Sequence, residues 1–123
     1  MNNTLKIAAI SGALAVSLGA FGAHGLKEML TPAMLEIFKT GVQYQFYHTF
    51  ALLAVGILQS LGESNQLKWA SRLFVAGIMI FSGSLYLLSI SGVKVLGAIT
   101  PIGGIAFIAG WIMLFMHPIK QKQ

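Results

Sequence analysis

The sequence predicts an all-α integral membrane protein, a four-helix bundle whose second helix is extended and partly interfacial at its start. Three observations lead there. Of 123 residues, 56% are hydrophobic and only 9% charged, against about 25% charged in soluble proteins. So few charges cannot cover a small domain against water. The apolar residues fall into four runs, each near the length of a transmembrane helix. Finally, Thr-Pro pairs at Thr31-Pro32 and Thr100-Pro101 mark helix starts, with Thr as cap and Pro in the first turn.

Taken in order, Leu5 to Gly22 is apolar or small except for Lys6 and two serines. It covers about 27 Å as a helix. The second helix starts at Pro32 and runs to Ser60, about 43 Å, which exceeds a hydrocarbon core of about 30 Å. Its start, residues 32–41 with Glu36 and Lys39, is expected among or along the headgroups. Leu73 to Val93 carries no charged residue and forms the third span. Gly92 to Ile99 reads as an apolar connector, and the last helix is expected from Pro101 to His117. The chain 1–123 is then one membrane domain with spans near 5–23, 42–61, 70–91 and 101–117. A cleaved signal peptide ending near Ala23 is the rival for the first run, but three further spans oppose translocation of a soluble product.

Four spans place both termini on one side. Lys6, Lys68, Arg72, Lys120 and Lys122 fall there, against Lys27, Lys39 and Lys94 on the other. That bias favours cytoplasmic termini. The net charge of +5 is scattered at the ends of apolar runs rather than forming a basic stripe. It suits anionic lipid headgroups and not nucleic acid. There is no cysteine, which removes disulfides, thiolate metal sites and Cys nucleophiles. A weak internal echo, Gly25-Leu26-Lys27 before Thr31-Pro32 and Gly92-Val93-Lys94 before Thr100-Pro101, is compatible with two parallel halves or with chance.

Small residues recur at helical spacing. Ser11, Ala15, Gly19 and Ala23 do so on helix 1, and Thr100 with Gly104 and Ala106 with Gly110 on helix 4. Helix 3 carries Gly77, Ser84 and Ser91 on one side and Ser71, Ser82, Tyr86 and Ser89 on another. Such faces let helices pack closely in lipid, and hydroxyls there bond locally to backbone. The sharper alternative is a polar lining for a substrate path.

Polar side chains at membrane depth are candidates for function. His24 ends helix 1, and His48 follows Gln45 and Tyr47 on helix 2, with Gln59 on the same face as His48. The plainer reading is imidazoles hydrogen-bonded across helices. The sharper one is a path for a proton or small solute through His48 and Gln59. Two His without Cys or a carboxylate cluster are thin for zinc, and a haem between His24 and His48 is the remoter idea; no cofactor, metal or catalytic residue is expected. Glu28 and Glu36 read as solvated, Glu36 pairing with Lys39. His117 is expected to meet terminal carbonyls or solvent. No phosphate loop, nucleophile elbow or carboxylate pair is present.

Four motifs in order, Gly19-Ala20-Phe21-Gly22-Ala23-His24-Gly25-Leu26, Tyr44-Gln45-Phe46-Tyr47-His48, Phe81-Ser82-Gly83-Ser84-Leu85-Tyr86 and Ile99-Thr100-Pro101-Ile102-Gly103-Gly104 with Gly110-Trp111, carry a resemblance. The chain resembles the small bacterial membrane proteins grouped as "domain of unknown function 423", related to the animal protein called transmembrane protein 256. The resemblance implies a multi-pass protein of the bacterial plasma membrane and no particular activity. It also argues against cleavage at Ala23, which lies inside the first motif. The expected function is that of a structural or accessory membrane protein binding a partner or lipid. The alternative is a small oligomeric transporter or channel for a proton, ion or solute. Partners are expected to be the bilayer and a second copy or another membrane protein.

Overall fold

A computed structural model describes residues 1–119; Lys120 and Lys122, two of the charges used to orient the chain, lie outside the described residues. Every regular element among the described residues is a helix: α1 (Asn3–His24), α2 (Pro32–Leu61), α3 (Asn65–Gly77), α4 (Gly83–Ser91) and α5 (Thr100–Phe115). A π-helical turn, Ile78–Ser82, joins α3 to α4, so that Asn65–Ser91 is one long helical rod. A 3₁₀ turn, Lys94–Ala98, leads into α5.

Helix starts follow local chemistry. Asn2 accepts the Leu5 N–H at 2.9 Å and donates its amide to the Gly56 carbonyl at 2.9 Å, capping α1 and tying it to α2. Thr31 accepts the Met34 N–H at 3.2 Å with Pro32 in the first turn, as its sequence predicts. Ser64 caps α3 through the Leu67 N–H at 3.1 Å. The third helix therefore begins five residues before the expected 70, on a cap that its weakly apolar first turns concealed. Gly92 ends α4 in the left-handed conformation, at φ 71°, with its N–H on the Leu88 carbonyl, a position that suits glycine.

Thr100 corrects the second Thr-Pro expectation. The 3₁₀ turn winds directly into α5, and the residue in front of the helix is Ile99, with no side-chain cap. Thr100 is already helical, and its hydroxyl meets Ser84 at 2.6 Å instead. The preceding segment had already supplied helical backbone, so no cap was needed. α5 also ends earlier than expected, at Phe115.

Among the described residues, three helical stretches are long and apolar enough to cross a membrane: Asn3–His24, Asn65–Ser91 and Lys94–Phe115. α2 has 30 residues, but Gln43, Gln45, His48 and Thr49 lower its apolarity. It is nevertheless the central helix. α1 packs along it antiparallel, with Gly22 against Phe38 and Gly56 against Leu5. The rod packs on another side, where Gly41 faces Leu85 and Tyr86. α5 lies antiparallel to α3. Two apolar clusters result. One joins Ala8, Leu52, Val55, Leu67, Phe74 and Phe107, and the other Leu26, Phe38 and Val42.

Candidate functional site

Two polar arrangements lie side by side on the inner face of α2. The first is a hydrogen-bonded seam between α1, α2 and α4. Gln45 donates to the Ser11 carbonyl at 2.9 Å and accepts the Tyr86 hydroxyl at 2.6 Å. Ser11 and Thr49 meet at 2.7 Å, and Thr49 also donates to the Gln45 carbonyl at 2.7 Å. One amide thus links three helices. Ser82 extends the seam. It is fully buried and donates to the Gly41 carbonyl at 2.7 Å. The π-helical turn that Ser82 closes widens the rod at this point, and Gly41 leaves room for the rod to approach.

The second arrangement is an aromatic cage around His48. Phe107 stacks on the imidazole with centroids 3.5 Å apart and planes 7° from parallel. Phe74 and Trp111 close two further sides at 5.6 and 5.8 Å. Trp111 Nε1 can only donate, and it points at His48 Nε2 at 3.0 Å. Nε2 is therefore the acceptor. Nδ1 carries the proton and donates it to the Tyr44 carbonyl at 2.8 Å. Both ring nitrogens are used, so binding a metal through either would break a bond already made.

The cage is built on glycine. A Cβ on Gly110 would sit 2.7 Å from Phe74, and one on Gly77 would collide with Phe107. Each ring fills the socket left by a glycine on the opposing helix. Gly103 lies against the backbone of Phe81 itself, while Gly104 is only in ordinary contact with that ring. On α5 the close approach is thus at Gly103 and Gly110, one residue off the Gly104 singled out from spacing. On α1, Thr4, Ala8, Ser11, Ala15 and Gly22 are buried and Ala23 is exposed. A strict four-residue repeat rotates about 40° per step around a helix, so the repeat from Ser11 has left the interface by Ala23. Gly19 stays within reach of Val42.

The remaining sequence candidates lie apart from one another. His24 is exposed at the end of α1, near the level of Phe38, about 15 Å of helix rise from His48. Tyr47 is exposed and accepts a hydrogen bond from Gln43 at 2.5 Å. Gln59 shares a face with His48, yet its amide turns to the Glu63 carboxylate at 3.2 Å, and its Oε1 is buried without a partner. His117 meets the cap Ser64 at 2.7 Å rather than terminal carbonyls or solvent, beside a peripheral cavity of about 340 Å³ also lined by Glu63. A second cavity of about 210 Å³ opens between α1 and α3, with Ser11 and Gln45 at its floor. Sequence spacing missed Thr49, Phe74 and Phe107 as parts of the interior, and the half-exposed Trp111 as the donor to His48. For Trp111 a signal existed, one indole N–H in an apolar span that requires an acceptor.

The family described as "Protein of unknown function (DUF423)" matches residues 18–104. The chain belongs to this family. A relative called UPF0382 membrane protein YwdK, from Bacillus subtilis (strain 168), is 47% identical over 115 residues, covering 93% of this chain and 94% of its own. UPF0382 membrane protein SAB0533 from Staphylococcus aureus (strain bovine RF122 / ET3-1) is 46% identical over 114 residues, 93% of each chain. UPF0382 inner membrane protein YgdD from Escherichia coli (strain K12) is 38% identical over 119 residues, 97% of this chain and 91% of its own. No solved structure matches the chain. The family match bears out the resemblance and establishes a membrane protein. Residues 18–104 include Gln45, His48, Ser82 and Tyr86 but not Ser11, Phe107 or Trp111, so each interior arrangement has partners on both sides of the boundary.

Proposed function

We propose that this family member is a four-span accessory protein of the cell membrane, with both termini cytoplasmic, that acts by presenting its outer surface to a partner or to lipid. One observation carries this reading. Each of the buried polar residues Thr4, Ser11, Gln45, His48, Thr49, Ser82, Ser84 and Ser89 is hydrogen-bonded within the chain. Interior groups used this way bind helices together and are not free to carry a solute. Of the rod's serines, which offered a polar lining for a path, Ser71 meets Thr4, the others donate to backbone carbonyls, and Ser84 also meets Thr100.

The four-span reading includes α2 because its polar interior side chains are screened by α1 and the rod, while Phe50, Ile57 and Leu61 face outward. The first turns of α2, with exposed Glu36 and Lys39 4.0 Å apart, then project among headgroups. Proteoliposomes carrying the purified protein and a pH- or ion-sensitive dye test the reading. Flux no greater than in protein-free vesicles is expected. Flux that His48→Ala abolishes while the fold persists would establish the transporter alternative.

A further inference from the structure

The outer side of α2 has a pattern that the bundle does not use. Gln43, Tyr47, Phe50, Ala54, Ile57 and Leu61 are all exposed. They recur at alternating spacings of four and three, the seam of a coiled coil, over about 27 Å of helix. The stripe carries no charge. Its upper end is polar at a depth where lipid offers nothing to bond. Gln43 and Tyr47 flank Gln45, which bonds to Ser11 in the middle of α1, so both sit well inside the spanning region. Tyr47 is 50% exposed. Gln43 and Tyr47 share one hydrogen bond, from the amide to the phenol oxygen. That leaves the Gln43 carbonyl, its second amide hydrogen and the Tyr47 hydroxyl hydrogen to be satisfied. Unpaired polar groups in hydrocarbon are costly and draw helices together.

We propose that this stripe is the interface with a second copy of the same chain, closed around a two-fold axis normal to the membrane. Copies insert with the same topology, so their α2 helices are parallel across such an axis. Each residue then faces its own equivalent. A carboxamide is self-complementary, its carbonyl accepting what its amide donates, so Gln43 meets Gln43 with both groups paired. Ala54, small and central in the lower stripe, lets the helices close. A lipid chain could cover Phe50, Ile57 and Leu61 but could not satisfy Gln43. The proposal rests on the reading of α2 as a span, made above.

The natural absence of cysteine makes the test direct. Ala54→Cys on the stripe and Ile108→Cys, 62% exposed on α5, are oxidised in native membranes and in proteoliposomes of the purified protein at high lipid dilution. Ala54→Cys is expected to give a disulfide-linked dimer in both, and Ile108→Cys to remain monomeric. Adding Gln43→Leu to Ala54→Cys is expected to lower the dimer fraction about fivefold, the effect of losing interhelical hydrogen bonding. Should that variant fail to insert, Tyr47→Phe, which removes only a hydroxyl, is expected to lower it in the same direction. Equal cross-linking at both positions, or an unchanged dimer with Gln43→Leu, overturns the proposal. So does an adduct with a different protein in membranes together with a monomer in proteoliposomes. A membrane-impermeant maleimide separates the two readings. Gln43→Cys that is protected yet gives no dimer overturns the second copy alone, whereas Gln43→Cys that is labelled from water overturns the spanning α2 as well.

Discussion

The α1–α2 seam and the α3–α5 seam solve the same problem by different chemistry. Midway along α1 and α2 the contact is polar, with glycine sockets only toward its two ends at Gly22 and Gly56: Gln45, Ser11 and Thr49 bond to one another, and Tyr86 reaches in from α4. Between α3 and α5 it is shape: Phe74 fills the space beside Gly110, and Phe107 the space beside Gly77. In lipid there is no hydrophobic exclusion to push helices together, so close packing and interhelical hydrogen bonds have to do it. The difference lies in tolerance. A hydrogen-bonded seam loses one partner at a time, and its remaining groups can find others. A ring seated against a glycine has no such freedom, because any side chain at that glycine displaces the ring. His48 ties α2 to the packed pair instead, its Nδ1 bonded to the Tyr44 carbonyl within α2 and its Nε2 to Trp111 on α5.

The largest losses are expected at the glycines. Gly103→Leu drives a side chain into the backbone of Phe81 and is expected to lose more than about 4 kcal/mol of stability, or to prevent folding; circular dichroism during denaturant titration in micelles reads this. Phe107→Ala empties the Gly77 socket and uncovers His48, and should cost about 3 kcal/mol by the same measurement. Gln45→Leu comes next. It strands the Tyr86 hydroxyl and removes the link to Ser11, with an expected loss of about 1–2 kcal/mol. A loss matching that of Gly103→Leu would show that the polar seam is as intolerant as the packed one. Trp111→Phe leaves His48 Nε2 without its donor and is expected to cost about 1 kcal/mol. In the Trp69→Phe background, His48→Leu should shift the emission of Trp111, the remaining indole. The smallest effect is at Ala23. Ala23→Leu is expected within about 0.5 kcal/mol of the parent, whereas Gly22→Leu, one residue earlier, meets Phe38 and should be clearly destabilising.

Much of the bundle was legible without the fold. The apolar runs, the Thr31 cap and the small-residue face of α1 follow from single-helix chemistry, which a sequence states directly. Gln45 and His48 stood out as polar groups beside an apolar run. Their partners did not. Gln45 bonds to residues 34 and 41 positions away, and His48 to one 63 away, and no local periodicity links such pairs. The choice of Gly103 over Gly104, and of Gly22 over Ala23, depends on the rotation of one helix against another. Spacing within a single helix leaves that rotation open.

Composition and pattern alone determined that this chain is helical, lives in a membrane and must pair the polar groups it carries there. Tertiary structure decided how: Gln45 to Ser11 and Tyr86, His48 into a cage closed by Phe107 and Trp111, and α2 at the centre with these polar side chains paired inside the bundle. The physical reason is that insertion depends on the summed transfer energy of a segment, a property of its residues. Pairing depends on distances and rotations between helices, which exist only once the helices have packed.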